Sequence, residues 1–339
     1  MSNSQPTSLQ RRLLAWYGRH KRNLPWRESG DPYAIWVSEI MLQQTRAQVV
    51  AGRYPLFLQK FPTIRALAVA DEQSVLALWS GLGYYNRARN LLKAAQKIVD
   101  DWDGQLPCQA SELRKLPGIG AYTSAAIASI AHGEPVAVVD GNVERVIARL
   151  HGLAIDKSAT VHRKVALLAN QLIDPKHPGD FNQAMMELGA TVCLPRKPLC
   201  GQCPLVDACA TRGEHISPPR APMQTKTITC ALALRTRKSQ TEVLLTQRPA
   251  QETVMPGLWE LPPLKRLAFA DKFLALSVRH AIMQTNYIVR VRAVKPAETR
   301  TFLKADGICR WVTAAEAETM ALTGLARKVL KKARVFGAK

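Results

Sequence analysis

The sequence predicts two domains of different class: an all-α domain over roughly the first two thirds and a smaller α+β domain behind it. Three observations predict this. Up to Cys209 the apolar residues recur at helical spacing almost throughout. Beyond residue 226 the period changes to two, in "TITCALALRT" (227–236), "EVLLTQRP" (242–249) and "YIVRVRAV" (287–294). Between them "TRGEHISPPRAPMQTKT" (211–227) is polar and proline-bearing and follows neither period, as a linker does. The expected boundaries are 1–216, a linker at 217–226, and 227–339, with no internal repeat.

Taken in order, the elements carry their own start and stop signals. Asp31 followed by Pro32 is an N-cap and first-turn pair, so a helix runs from there through "YAIWVSEIML". On it Glu39 shares a face with Ile35, Trp36 and Leu42, and a carboxyl among apolar side chains has its pKa raised. Such a group can act as a general acid near neutral pH. A short helical piece, "ASELRK" (110–115), is stopped by Pro117; Gly118 and Gly120 then permit a tight hairpin before a second helix opens near Tyr122. Amides of that hairpin and helix start converge on one point, which makes an anion site for DNA phosphate. A dinucleotide fingerprint is a poor rival, since no strand precedes and Thr123 stands where a third glycine belongs. In "PVAVVDGNVERVIARL" (135–150), Asp140 ends an apolar run just before another helix, where an Asp is most often a cap. "TAAE" at Thr313–Glu316 reads as a capping box for the first of two closing helices.

The chain has 339 residues with 47 Lys and Arg against 26 acids, a net +21, which points to a nucleic-acid partner. Residues 226–339 carry 21 basic and 8 acidic side chains, +13, so the smaller segment holds most of the excess. No apolar run approaches the roughly 20 residues of a membrane span, and a cytosolic location is expected.

Four of the seven cysteines crowd into "CLPRKPLCGQCPLVDAC" (193–209) at gaps of six, two and five. Disulfides suit short secreted scaffolds, and an odd total fits a reducing compartment instead. Zinc usually takes two close pairs a dozen or more residues apart, and only Cys200 and Cys203 form such a pair. Cys193, Cys200, Cys203 and Cys209 wrapped as one loop fit the corners of a [4Fe-4S] cube better, with zinc the remaining alternative. Arg196 and Lys197, bracketed by Pro195 and Pro198, hold two cations outward on a stiff backbone, which suits contact with a polyanion.

Taken together, "LPWR" (24–27), "SEIMLQQT" (38–45), "GLGYYNRARNL" (81–91), "LPGIGAYTSAAI" (116–127), "VVDGNVERV" (138–146), "FNQAMMELGATVC" (181–193) and the cysteine loop resemble the adenine-specific mismatch DNA glycosylases, the MutY family. The resemblance covers about residues 8–212 closely and the rest more loosely. It implies a helix-hairpin-helix glycosylase architecture, with a six-helix part near 31–137, a cluster part from 1–30 plus 138–216, a [4Fe-4S] cluster and a Nudix-like C-terminal domain. It implies excision of adenine mispaired with 8-oxoguanine or guanine in duplex DNA by a monomeric, monofunctional enzyme. Glu39 would protonate the adenine, Asp140 would face the sugar cation, and Asn142 and Tyr122 would orient them. Gln44 and Tyr85 match wedge positions, and Trp26, Arg27 and Glu187 match the adenine pocket.

In one place the chain departs from the family. Many relatives carry a phenylalanine-serine-histidine loop that recognises 8-oxoguanine; "SVRHAIMQTNY" (277–287) keeps His280 but has Met283 and Gln284 where the serine and histidine belong. Any surviving recognition would fall on His280, Gln284 or Thr285. Three rival readings fit the residues less well. A glycosylase with lyase activity, like endonuclease III, needs an amine after the hairpin, where Tyr122 stands. A non-catalytic iron–sulfur DNA sensor would have no use for Glu39 and Asp140. A nucleotide pyrophosphatase needs a metal-binding acidic helix, and "KRLAFADKF" (265–273) lacks those acids.

Overall fold

A computed structural model of the chain describes residues 7–154, 158–214, 222–252, 254–264, 270–282, 285–299 and 308–336. Its helices are α1 (Ser8–His20), α2 (Pro32–Leu42), α3 (Ala47–Ala51), α4 (Tyr54–Lys60), α5 (Ile64–Ala68), α6 (Glu72–Leu78), α7 (Asn86–Trp102), α8 (Ala110–Leu113), α9 (Ala121–His132), α10 (Gly141–Leu150), α11 (Ala159–Leu172) and α12 (Pro178–Thr191). Then follow β1 (Gln224–Leu232), β2 (Leu234–Arg237), β3 (Gln240–Gln247), β4 (Trp259–Glu260), β5 (Leu274–Ile282), β6 (Thr285–Ala293), β7 (Cys309–Thr313), α13 (Ala314–Thr319) and α14 (Gly324–Lys332). Among the described residues no helix is long and apolar enough to cross a membrane.

The chain forms two compact units: residues 1–69 with 90–219, and residues 70–89 with 220–339. The first unit is helical. Asp31 caps α2 by accepting from the Tyr33 amide, as expected. Every residue of α2 from Tyr33 to Met41 is buried, so this helix is enclosed on all sides and its single carboxylate, Glu39, lies inside the protein. α2 packs on α9, and α12 packs on α1, α9 and α10. Leu13, Trp16, Ile147, Val165, Phe181 and Leu188 form a core joining α1, α10, α11 and α12. Partly buried Cys193, Cys203 and Cys209 pack against it, which ties the cysteine loop to the helices that carry the other site residues.

The second unit is α+β. One sheet has the order β1-β6-β5, with β1 parallel and β5 antiparallel to β6; in the other, β3 pairs with β2, β4 and β7. Val243, Leu245, Val289, Val291, Val329 and Leu330 are among its core residues. The capping box closes on both arms: the Glu316 amide donates to Thr313 Oγ1 at 3.2 Å, and the Thr313 amide to Glu316 Oε2 at 2.8 Å.

Three expectations need adjustment. β1 begins at Gln224, inside the expected linker 217–226, of which residues 217–221 lie outside the described residues. The stretch 277–287 is mostly hairpin: β5 and β6 pair antiparallel from Leu274 to Ile282, an alternation of Leu274, Leu276 and Val278 that predicts a strand. Residues 70–89, expected in the six-helix part, group with the C-terminal residues. The cause is a set of specific bonds: Tyr85 donates to the Leu322 carbonyl at 2.9 Å, Arg89 to the Pro256 carbonyl at 2.6 Å, and Arg327 to Ser80 Oγ at 2.7 Å.

Candidate active site

Helices α2 and α9 bring together two residues that the sequence separates by more than eighty positions. Glu39 is 4 % exposed, and Tyr122 Oη donates to its Oε2 at 2.8 Å. Burial pushes the Glu39 carboxyl up to about 7; the negative charge of Asp140 adds to this, while the Tyr122 hydrogen bond and the charge of Arg27 oppose it. Near neutral pH this group is poised to give a proton. Burial and the two carboxylates raise the Tyr122 hydroxyl well above its ordinary value, so it stays a neutral donor.

Asp140 caps α10, and its charge reaches Glu39. Its Oδ1 accepts from the Asn142 amide at 2.9 Å and the Val143 amide at 2.7 Å, and its Oδ2 from Asn142 Nδ2 at 2.9 Å. These three donors, two of them first-turn amides of α10, fix the direction of the side chain. Asn142 is held in turn by Arg145, whose Nη2 donates to Asn142 Oδ1 at 2.9 Å and to the Gly189 carbonyl at 2.7 Å, while its Nε donates to the Cys193 carbonyl at 2.8 Å. Gly189 is needed here, since a Cβ would lie 2.6 Å from Asn142 Cβ. Arg145 escapes sequence reading, although its place three residues after Asn142 on one helix face is a usable signal. Arg145→Met should slow any chemistry that depends on Asp140 by about tenfold or more, measured under single turnover, because Asn142 loses its orienting partner.

A second buried cluster lies on α12. The Glu187 side chain is fully enclosed; burial works against its charge, but hydrogen bonds from Arg22 and Arg27 outweigh it and hold the carboxyl down to about 2. Arg22 binds both carboxylate oxygens, at 2.7 and 2.9 Å, and Arg27 Nη2 donates to Oε2 at 2.7 Å. Trp26, 7 % exposed, sits edge-on to Tyr54. Arg22, like Arg145, escapes sequence reading, though "RNLPWR" places two arginines five apart around the turn.

The hairpin is as expected. Gly118 has φ +76°, and a Cβ there would lie 2.6 Å from Asn90 Cβ, so only glycine fits. Gly120 is the N-cap of α9 and supplies no side-chain acceptor, so that helix start presents its first amides outward. Gln44 is exposed at φ 54°. Tyr85 is not in a wedge position: it is 4 % exposed, with its hydroxyl bonded to Leu322. Its neighbour Tyr84 is 46 % exposed at φ 48° and is the aromatic available to a ligand. His280 is not at a loop tip either. It lies mid-strand opposite Tyr287, half-buried, and burial followed by the charge of Lys328 lowers its pKa. Thr285 opens β6, and Gln284 lies outside the described residues.

The four loop cysteines line one cavity together with Arg149, Val192, Val206, Arg212 and Gly213. Among the described residues no His, Cys, Asp or Glu group forms a site for a single metal ion. The four thiols rim one space, as the ligands of a single cluster would. Two donors point at the sulfurs: Arg149 Nη1 lies 3.3 Å from Cys193 Sγ, and the Arg212 amide 3.5 Å from Cys209 Sγ. Arg149 also bonds the Leu194 and Pro195 carbonyls from within, leaving Arg196 and Lys197 exposed, Lys197 at φ 50°. The purified chain should hold about four irons and four sulfides; equimolar zinc without iron would contradict this.

Residues 37–170 match the HhH-GPD superfamily of base excision DNA repair proteins, and residues 193–209 match the iron-sulfur binding domain of endonuclease III. The helical unit, its hairpin and its cysteine loop are those of this class, which carries a [4Fe-4S] cluster, and Cys193, Cys200, Cys203 and Cys209 all fall within the matched iron-sulfur segment. Human adenine DNA glycosylase is 48 % identical over 219 residues, which cover 62 % of this chain and 40 % of the human one. The adenine DNA glycosylase of Mycobacterium tuberculosis (strain CDC 1551 / Oshkosh) is 44 % identical over 212 residues, covering 62 % of this chain and 69 % of the relative. A thermostable thymine-DNA glycosylase of known structure superposes with a TM-score of 0.56 at 31 % identity, over 60 % of this chain and 94 % of the other. The chain belongs to the adenine DNA glycosylase family. Its match spans about two fifths of the length of the human relative.

Proposed function

We propose that the protein is a monofunctional DNA glycosylase that removes adenine mispaired with 8-oxoguanine or guanine. The observation that carries this is Glu39: a buried carboxyl near pKa 7, bonded to Tyr122 and facing the charge of Asp140. Hydrolysis of an N-glycosidic bond needs a protonated leaving group and a stabilised oxocarbenium ion, the task two carboxyl groups with separated pKa values perform in glycosidases.

Adenine leaves the stack first, at a cost of a few kcal/mol. Gln44, exposed on its unit, enters the space; in the other unit Tyr84, the exposed aromatic, takes the wedge role expected of Tyr85. Trp26, Arg27 and Glu187 wall the adenine pocket, with Arg22 joining them. Glu39 gives its proton to the adenine as the glycosidic bond lengthens. Asp140, fixed by Asn142 and Arg145, holds its charge against the sugar cation. Water then adds to the sugar, and the Glu39 carboxylate recovers a proton. Cys193, Cys200, Cys203 and Cys209 would hold the [4Fe-4S] cluster, which would close the loop that carries the exposed Arg196 and Lys197. Asp140→Asn should bind a mispair as wild type does and cleave at least about a hundredfold more slowly.

The lyase alternative is disfavoured because Tyr122 stands where an amine would be needed. Borohydride should therefore trap no covalent DNA complex with the wild-type chain, and strands should break only after alkali. A strong trapped band would favour the lyase reading.

We read the C-terminal unit as Nudix-like, without pyrophosphatase acids. Its +13 supports clamping of the DNA backbone. With Met283 and Gln284 in place of the family's donors, Gln284→Ala should change the preference for 8-oxoguanine over guanine by at most roughly tenfold, since one hydrogen bond contributes about 1 kcal/mol.

A further inference from the structure

The loop Ser80–Tyr85 is built to show one side chain. Gly81 and Gly83 have φ of 97° and 71°, and Tyr84 follows at 48°, a left-handed backbone that a tyrosine rarely adopts. Strain of this kind persists only where surrounding bonds enforce it. Some are local: Trp79 Nε1 donates to the Gly83 carbonyl at 3.1 Å, and Arg87 Nη2 to the Leu82 and Gly83 carbonyls at 3.0 Å each. Arg87 also lies against the Trp79 ring and the Tyr84 ring.

The others come from the far end of the chain. Ser80 is fully buried, and its Oγ accepts from Arg327 Nε at 2.7 Å. The same guanidinium donates to the Glu318 carbonyl through Nη1 and Nη2, and to the Met320 carbonyl, so one arginine on α14 ties the loop to the segment between α13 and α14. At the loop's other end Tyr85 reaches the carbonyl of fully buried Leu322. Both ends of the loop are thus fastened to residues 318–327, and Tyr84 is left outside. Tyr85 is held inside by its bond to Leu322, while the left-handed backbone at Gly83 and Tyr84 leaves the Tyr84 side chain exposed.

We propose that Arg327 and Tyr85 are positioning residues for Tyr84: the C-terminal unit presents the side chain that fills the stack when adenine leaves, and so acts on extrusion as well as on affinity. This rests on the glycosylase reading above. A deletion of residues 226–339 would confound the two roles, since it removes Leu322 and Arg327 together with the basic surface.

The test uses the full chain with Tyr85→Phe, which removes one hydroxyl, Arg327→Met, which keeps the aliphatic stem, and Arg327→Lys, which restores one donor. A duplex with 2-aminopurine beside the target adenine reports extrusion by fluorescence, and single-turnover adenine release at saturating enzyme reports the chemistry. The expected result is a loss of about fivefold in extruded population and in rate for Tyr85→Phe. A larger loss is expected for Arg327→Met, with partial recovery in Arg327→Lys and duplex affinity within about twofold of wild type. Tyr84→Ala should reproduce the defect, and adding Arg327→Met to it should cost little more. Unchanged extrusion and rate in Tyr85→Phe and Arg327→Met would overturn the proposal, as would full additivity with Tyr84→Ala. A wild-type chain that released no adenine would instead overturn the glycosylase reading.

Discussion

Glu39→Gln should bind an adenine mispair as tightly as wild type and excise adenine about 10² to 10⁴ more slowly. The amide keeps the shape of the carboxyl and still accepts from Tyr122, but has no proton to give. The same substitution should make the protein more stable at alkaline pH. With a folded pKa near 7, raised above the ordinary 4.5 by burial, Glu39 holds a proton in the folded chain that the unfolded chain releases. The contribution of Glu39 to stability is therefore greatest below about 4.5, falls as pH rises through 4.5 to 7, and stays lower above that window, by about 1.4 kcal/mol for each pH unit between the unfolded and folded pKa. The amide of the variant does not ionise and carries no such cost. Glu39→Gln should melt several degrees above wild type at pH 8 and close to it at pH 5, measured by calorimetry. A variant that lost activity and stability together would point to a structural role for Glu39.

Cys200→Ser should have the other large effect. The loop 193–209 contains only two 3-10 turns, Cys200–Gln202 and Val206–Ala208, and one well-buried apolar anchor, Leu205 at 2 % exposure. That is too little burial to offset about 1–2 kcal/mol of backbone entropy per ordered residue over seventeen positions, so the cluster must close the loop. Losing it would free Arg149 from Cys193 and the Leu194 and Pro195 carbonyls, leaving a charge at 3 % exposure without partners. Little folded protein should be recovered, and what remains should lack both iron and duplex binding. A well-folded, DNA-binding Cys200→Ser chain without iron would show that the loop stands without its cluster.

What was legible in the sequence is what neighbours in the chain decide. The Asp31–Pro32 cap, the Pro117–Gly118–Gly120 hairpin and the Thr313–Glu316 box each depend on residues within a turn of one another, and all three form as expected. Glu39 could be placed in an apolar setting because its own helix supplies Ile35 and Trp36. The partners that complete its chemistry come from elsewhere: Tyr122 from α9, and the Arg145 bridge between Cys193 and Asn142 from the packing of α10 on α12. Tyr84 and Tyr85 are chemically alike, and the bond that marks Tyr85 as the buried one goes to Leu322, far along the chain. The grouping of residues 70–89 with the C-terminal unit has the same origin, since bonds to Pro256, Leu322 and Arg327 leave no mark in local periodicity. The strand β5 was legible from alternation alone, but the family's loop pattern at 277–287 outweighed it.

The central claim is that Glu39 protonates adenine as it leaves DNA. The most direct test is single-turnover release of free adenine from a duplex holding adenine opposite 8-oxoguanine, followed from pH 5.5 to 9. Free adenine should appear with an intact strand, at a rate that falls above an apparent pKa near 7 and approaches a tenfold loss per pH unit as the Glu39 proton is lost. No adenine released at any pH, or a rate flat across the range, would contradict it.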